Sequence, residues 1–173
     1  MIEKKQILII AIAVLFTMIF HELGHFLTGK MLGYNLKITL NMVKPQEGET
    51  IAENHRVYIT AGGTLFTILQ AFAAFFILQI KRSEIIFPFL ISPLILRSWA
   101  YMVSPVHLQD EGILSIYHGW NPWILPALTW LVLVTLIITT IKQLDIKFIK
   151  VVKVFFLCLI FYWLFLALDY VIF

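Results

Sequence analysis

Charge is what this chain has least of: Asp, Glu, Lys and Arg together make up 13% of its 173 residues, against about 25% in a soluble domain. The shortage excludes a water-soluble globule, because the polar surface that would cover a core is missing. Cysteine is nearly absent too. Cys158 stands alone in the last apolar run, so no internal disulfide forms and the redox compartment is not legible. No linker, low-complexity tract or internal repeat divides the chain, which therefore reads as one domain. The net charge is only +3, and the lysines are scattered between apolar runs. They form no basic stripe of the kind nucleic acid requires, and sit where membrane-interface charges belong.

What is present is apolar surface: 61% of residues are hydrophobic and the mean hydropathy is +0.92. A helix that crosses a bilayer takes about 20 mostly apolar residues. Five stretches qualify: residues 6–32, 56–80, a third beginning near Ile85 and interrupted by Pro88, Pro93 and Pro105, then 122–141 and 151–173. The expected fold is an all-α polytopic membrane protein of about five spans. Glu3-Lys4-Lys5 followed by an apolar run looks like a signal peptide, but no small-residue cleavage site follows, so the first span is expected to stay.

Two stretches break the helical pattern. From Asn35 to Met42, Leu36, Ile38, Leu40 and Met42 alternate with Asn35, Lys37, Thr39 and Asn41. A period of two predicts a strand with one apolar face, and Lys44-Pro45-Gln46-Glu47-Gly48 reads as the turn after it. Such a membrane-associated strand either rests on the bilayer surface or pairs with an extended peptide, which makes Leu36, Ile38 and Leu40 candidate substrate contacts. The second break, residues 104–112, holds Pro105, His107, Asp110, Glu111 and Gly112. Irregular, charged backbone beside a span is tolerated only where protein or water lines it, so this segment is expected to border a cavity.

His21-Glu22-Leu23-Gly24-His25 is an HExxH sequence. On a helix, positions i and i+4 share a face, so both imidazoles can address one metal ion, with Glu22 close enough to take a proton from its water. Zinc suits imidazole ligands and brings no redox chemistry. The motif directly follows a long apolar run, where each ionisable residue costs about 2.5–3.5 kcal/mol to insert; three together call for a bound metal. A catalytic zinc needs a third protein ligand and an open position. His55, His107, Asp110, Glu111 and His118 are available. Two spans separate His25 from residues 104–112, so the chain returns to the same side; His55 lies there as well. The residues themselves narrow the choice no further.

These motifs resemble the site-2 proteases, a family of intramembrane zinc metalloproteases. The HExxH is matched in full. The family's Ala-Gly-Pro, with Asn three residues after the Pro, is met by Ala61-Gly62-Gly63 and Phe66, so Ala-Gly remains while Pro and Asn do not. Its Asn-x-x-Pro-x-x-x-x-Asp-Gly is met by Met102, Pro105 and Asp110, with Glu111 standing before Gly112. The resemblance covers about residues 6–118 and implies a three-span catalytic core over residues 1–118, with residues 119–173 as two further spans of the same domain. It implies Zn2+ held by His21, His25 and Asp110, with Glu111 or His107 as alternatives for the third ligand, and Glu22 as catalytic base. It also implies membrane-embedded or membrane-associated peptide substrates and a multi-pass protein of the cell membrane.

Two other functions compete: a zinc-binding pseudoprotease or membrane peptide chaperone, which the missing Asn favours, and a small transporter relaying protons or metal through His and Asp. A protease needs Glu22 as base, whereas a transporter would use it as a ligand. Arg97 is expected to form a salt bridge or reach the interface, with a substrate or active-site role as the alternative. Trp99, Trp120, Trp123 and Trp130 fit interfacial belts, and His118 and Asp169 fit interface positions. Gly62-Gly63 fits close helix packing. With the N-terminus inside, eight Lys and Arg fall in the inner loops and four in the outer ones, favouring that orientation under the positive-inside rule.

Overall fold

The apolar runs become helices. The computed structural model describes residues 4–172, which form α1 (Lys4–Met31), β1 (Leu36–Ile38), β2 (Val43–Pro45), α2 (Glu53–Lys81), α3 (Phe87–Val103), α4 (Asp110–Tyr117), α5 (Ile124–Leu144) and α6 (Phe148–Ile172). One-turn 3-10 helices precede α3 and α4. Five of the helices, all but α4, are long and apolar enough to cross a membrane. Large apolar side chains point outward along them, among them Leu8, Phe76, Leu131 and Ile160. A lipid-facing surface has that character. The chain is an all-α polytopic membrane protein with one small two-stranded sheet.

Lipid offers no hydrophobic drive between helices, so close backbone approach and buried polar bonds must hold them together. Both occur. The long contact between α1 and α2 closes at Gly24 and Gly62: a Cβ on either would overlap the other's carbonyl. This is the close packing expected of Gly62-Gly63. Further along the same seam, the Gln70 amide donates to Thr17 Oγ1 at 2.7 Å, and Thr17 Oγ1 donates to the Ala13 carbonyl at 2.8 Å.

The third span was expected to be interrupted by its prolines, and it is not. Pro88 sits in the first turn of α3, where a missing N–H costs nothing; Pro105 lies beyond its end; Pro93 lies within it. A proline at 93 leaves the carbonyl of Phe89, four residues back, without its helical donor. Gln70 of α2 supplies one: its Nε2 donates to Phe89 O at 3.1 Å. The helix continues because its neighbour repairs it.

The single strand expected over residues 35–42 is instead a hairpin. β1 pairs antiparallel with β2 in the register Leu36↔Pro45, Lys37↔Lys44 and Ile38↔Val43, so Lys44-Pro45 belongs to a strand and the chain reverses over residues 39–42. Leu40 lies in that reversal. Leu36 packs inward onto Gly29 of α1. The reversal is tied to the last helix: Asp169 Oδ1 accepts from the Leu40 N–H at 2.9 Å and Oδ2 from Thr39 Oγ1 at 3.2 Å. Asp169 thus holds the loop in place.

Candidate metal centre

HExxH lies within α1, not at its end. At about 1.5 Å per residue, His21 stands about 26 Å from the start of the helix and about 15 Å from its finish. The motif therefore opens into a cavity of about 470 Å³ inside the bundle, lined by His21, Glu22, His25, Arg97 and Asp110 among others. The hairpin contributes Asn41, Met42, Val43 and Pro45, and α6 contributes Tyr162 and Leu166. Leu36, Ile38 and Leu40 are not part of its lining, and the last span helps to close it.

α4 was not foreseen as a helix. It begins at Asp110, with Gln109 as its N-terminal cap, and its first turn carries Asp110 and Glu111 in different directions, as adjacent helical positions must point. Asp110 Oδ2 comes 3.2 Å from His21 Nε2 and 3.5 Å from His25 Nε2, while the two Nε2 atoms are 3.2 Å apart. Among the described residues, these three side chains form the group able to hold a metal ion. Glu111, fully buried, turns instead to Arg97. His107 and His118 are exposed, and His55 bonds Tyr34 Oη at 2.9 Å.

The ring hydrogens can be assigned from the partners. His25 Nδ1 lies 2.8 Å from the Ile59 carbonyl, which only accepts, so Nδ1 carries a hydrogen. His21 Nδ1 lies 3.0 Å from Thr67 Oγ1. That hydroxyl spends its own proton on the Gly63 carbonyl at 3.0 Å, so it accepts from His21. Arg97 Nη2, always a donor, lies 3.0 Å from His21 Nε2 and marks that atom as an acceptor. The His21 ring is therefore neutral and turns its Nε2 lone pair toward the Asp110 carboxylate. Two acceptors, His21 Nε2 and Asp110 Oδ2, 3.2 Å apart repel unless a cation or a proton lies beside them.

Size and chemistry fit zinc. A tetrahedron with bonds of about 2.0–2.1 Å has edges of about 3.3 Å, matching the 3.2, 3.2 and 3.5 Å separations here. The outward Nδ1–H bonds are those that orient metal-binding histidines. Burial pushes the Asp110 carboxyl up, but the adjoining His21 and His25 rings and the Arg97 charge override it and hold the group well below the usual carboxylate range. It stays ionised, as a ligand must. A Cβ at position 63 would overlap both imidazoles, so the glycine leaves them room.

Glu22 is buried and lines the same cavity. Trp99, assigned from sequence to an interfacial belt, lies at the cavity wall and packs on Trp163 with ring centroids 4.6 Å apart. Sequence reasoning missed Thr67 altogether and gave Arg97 a place at the site only as the lesser alternative. A signal for Thr67 was present: Thr60, Thr64 and Thr67 recur at helical spacing, and all three are buried.

No protein-family model matches the chain, and no curated protein or solved structure matches it either.

Proposed function

We propose that this protein is a zinc-dependent intramembrane protease, similar to the site-2 proteases, which hydrolyses peptide bonds of membrane-embedded or membrane-associated substrates in the cell membrane. The observation that carries the reading is the triangle of His21 Nε2, His25 Nε2 and Asp110 Oδ2, with the Nδ1 hydrogens committed elsewhere and Glu22 facing the same cavity. His21, His25 and Asp110 would hold the ion. Zinc in such a site supplies a water of lowered pKa and a Lewis acid for a carbonyl oxygen.

The other steps fall to the chain. Glu22 takes a proton from the attacking water and returns it to the leaving amine nitrogen. A substrate helix has every backbone group paired and must unwind before it is cut. β2 has β1 on one side only, so its other edge is available to hold an extended segment, and Val43 and Pro45 line the cavity. With the N-terminus cytoplasmic, as the loop charges favour, the site opens toward the outer face.

The test uses purified protein in detergent or bicelles, its zinc content, and cleavage of single-span peptides. His21→Ala and His25→Ala are expected to lose both zinc and cleavage. Asp110→Asn should lose most of both, because a neutral amide is a poor zinc ligand. Glu22→Gln should keep zinc and lose cleavage. A Glu22→Gln protein that cuts like wild type sinks the mechanism.

A further inference from the structure

Arg97 is an arginine placed in the middle of an apolar helix and almost completely buried, at 3% exposure. Its Nη1 donates to both oxygens of Glu111, at 3.1 and 3.0 Å, and to Asp110 Oδ2 at 3.1 Å. Its Nη2 donates to His21 Nε2 at 3.0 Å. Its Nε is buried without a partner. A counter-ion for Glu111 alone would need only one side of the fork. Here one nitrogen is anchored on carboxylates while the other rests on the lone pair of a ligand atom.

That second contact does not survive metal binding. Once His21 Nε2 gives its lone pair to an ion, the Nη2 hydrogen loses that acceptor, and a buried charged donor left unmet is costly. Arg97 lines the cavity, so a substrate oxygen arriving between His21 and Asp110 meets this donor. We propose that Arg97 is a catalytic residue whose Nη2 group donates to the oxyanion formed on the scissile carbonyl, and that Glu111 is the positioning residue holding the guanidinium there. The inference rests on the protease reading.

The chemistry balances without any further reactant. The water oxygen bonds to the carbonyl carbon as Glu22 takes its proton, and the C=O pair moves onto oxygen. Arg97 donates a hydrogen bond to that oxygen and keeps its own proton, since a guanidinium does not ionise in this range. The pair then returns, the C–N bond breaks, and the amine nitrogen takes the proton from Glu22. A preset donor aimed at developing charge is worth about 10²–10³ in kcat.

The test compares wild type with Arg97→Lys, which keeps a charge for Glu111 and removes the fork. Zinc content, kcat, KM and the affinity of a peptide phosphonamidate, a tetrahedral anion, are measured. Arg97→Lys should keep its zinc and a KM within about threefold, lose about 100-fold in kcat, and bind the phosphonamidate more weakly by a similar factor. Unchanged kcat, or a fall in kcat with full phosphonamidate affinity, overturns the proposal. Glu111→Gln gives an independent check should the lysine variant not fold. It keeps an acceptor for Nη1 but not the charge, and should lose about tenfold in kcat and in phosphonamidate affinity; full values in both overturn the proposal. Zinc-loaded wild type that cuts no peptide overturns the protease reading itself.

Discussion

His21 donates through Nδ1 to the hydroxyl of Thr67, 3.0 Å away on the neighbouring helix, and this bond aims its Nε2 at Asp110. Replacing Thr67 with Val removes the acceptor while keeping the shape. Zinc affinity is expected to fall about 10–100-fold, measured by competition with a chelator, and Thr67→Ser should retain it. Equal affinity in Thr67→Val would mean that packing alone orients the ring.

The bond between Asp169 and the hairpin reversal makes α6 a support for the cavity wall. Asp169→Ala removes acceptors for the Leu40 N–H and the Thr39 hydroxyl; bonds to a charged acceptor contribute about 1.5–3 kcal/mol. Trypsin should cut after Lys37 at least tenfold faster in this variant, while bound zinc is unchanged. An unchanged cleavage rate would mean that β1–β2 pairing holds the hairpin unaided.

Orientation is open to labelling. Glu47 is exposed just after β2 and has ordinary backbone geometry, unlike its neighbour Gly48 with φ 83°. Glu47→Cys in a Cys158→Ala background should react with a membrane-impermeant thiol reagent on intact cells. Protection until lysis would reverse the orientation and leave the metal site as it is.

The legible parts of this chain were those with a local pattern. The spans follow from runs of apolar residues, and His21, Glu22 and His25 from one helical turn. Asp110 and Glu111 are adjacent, so sequence could place both near the site but not say which faces the histidines; the angle between consecutive helical positions decides it. Alternation over residues 35–42 runs unbroken through a chain reversal, and period alone does not register a reversal. Arg97 was visible as an anomaly, but its partners lie on α1 and α4, and only tertiary packing unites them.

Gln70 and Pro93 form a pair that a double-mutant cycle can isolate. Gln70→Leu leaves the Phe89 carbonyl without its donor and should cost about 1–3 kcal/mol, read as a lower melting temperature in detergent. Pro93→Ala gives α3 back its own N–H to Phe89 O. Added to Gln70→Leu, it should recover part of the loss, a coupling of at least about 0.5 kcal/mol. Strict additivity of the two changes would mean that Gln70 serves only Thr17.

The same repair constrains how the protein enters a membrane. Alone in lipid, α3 would carry the bare Phe89 carbonyl through the hydrocarbon, at several kcal/mol, and α2 would carry the Gln70 amide. Each helix is a poor passenger by itself, and each cancels the other's defect. The short connection between them, from Arg82 to Ile86, lets the two leave the insertion machinery as a hairpin. Lengthening that connection should slow their integration without touching any residue of the metal centre.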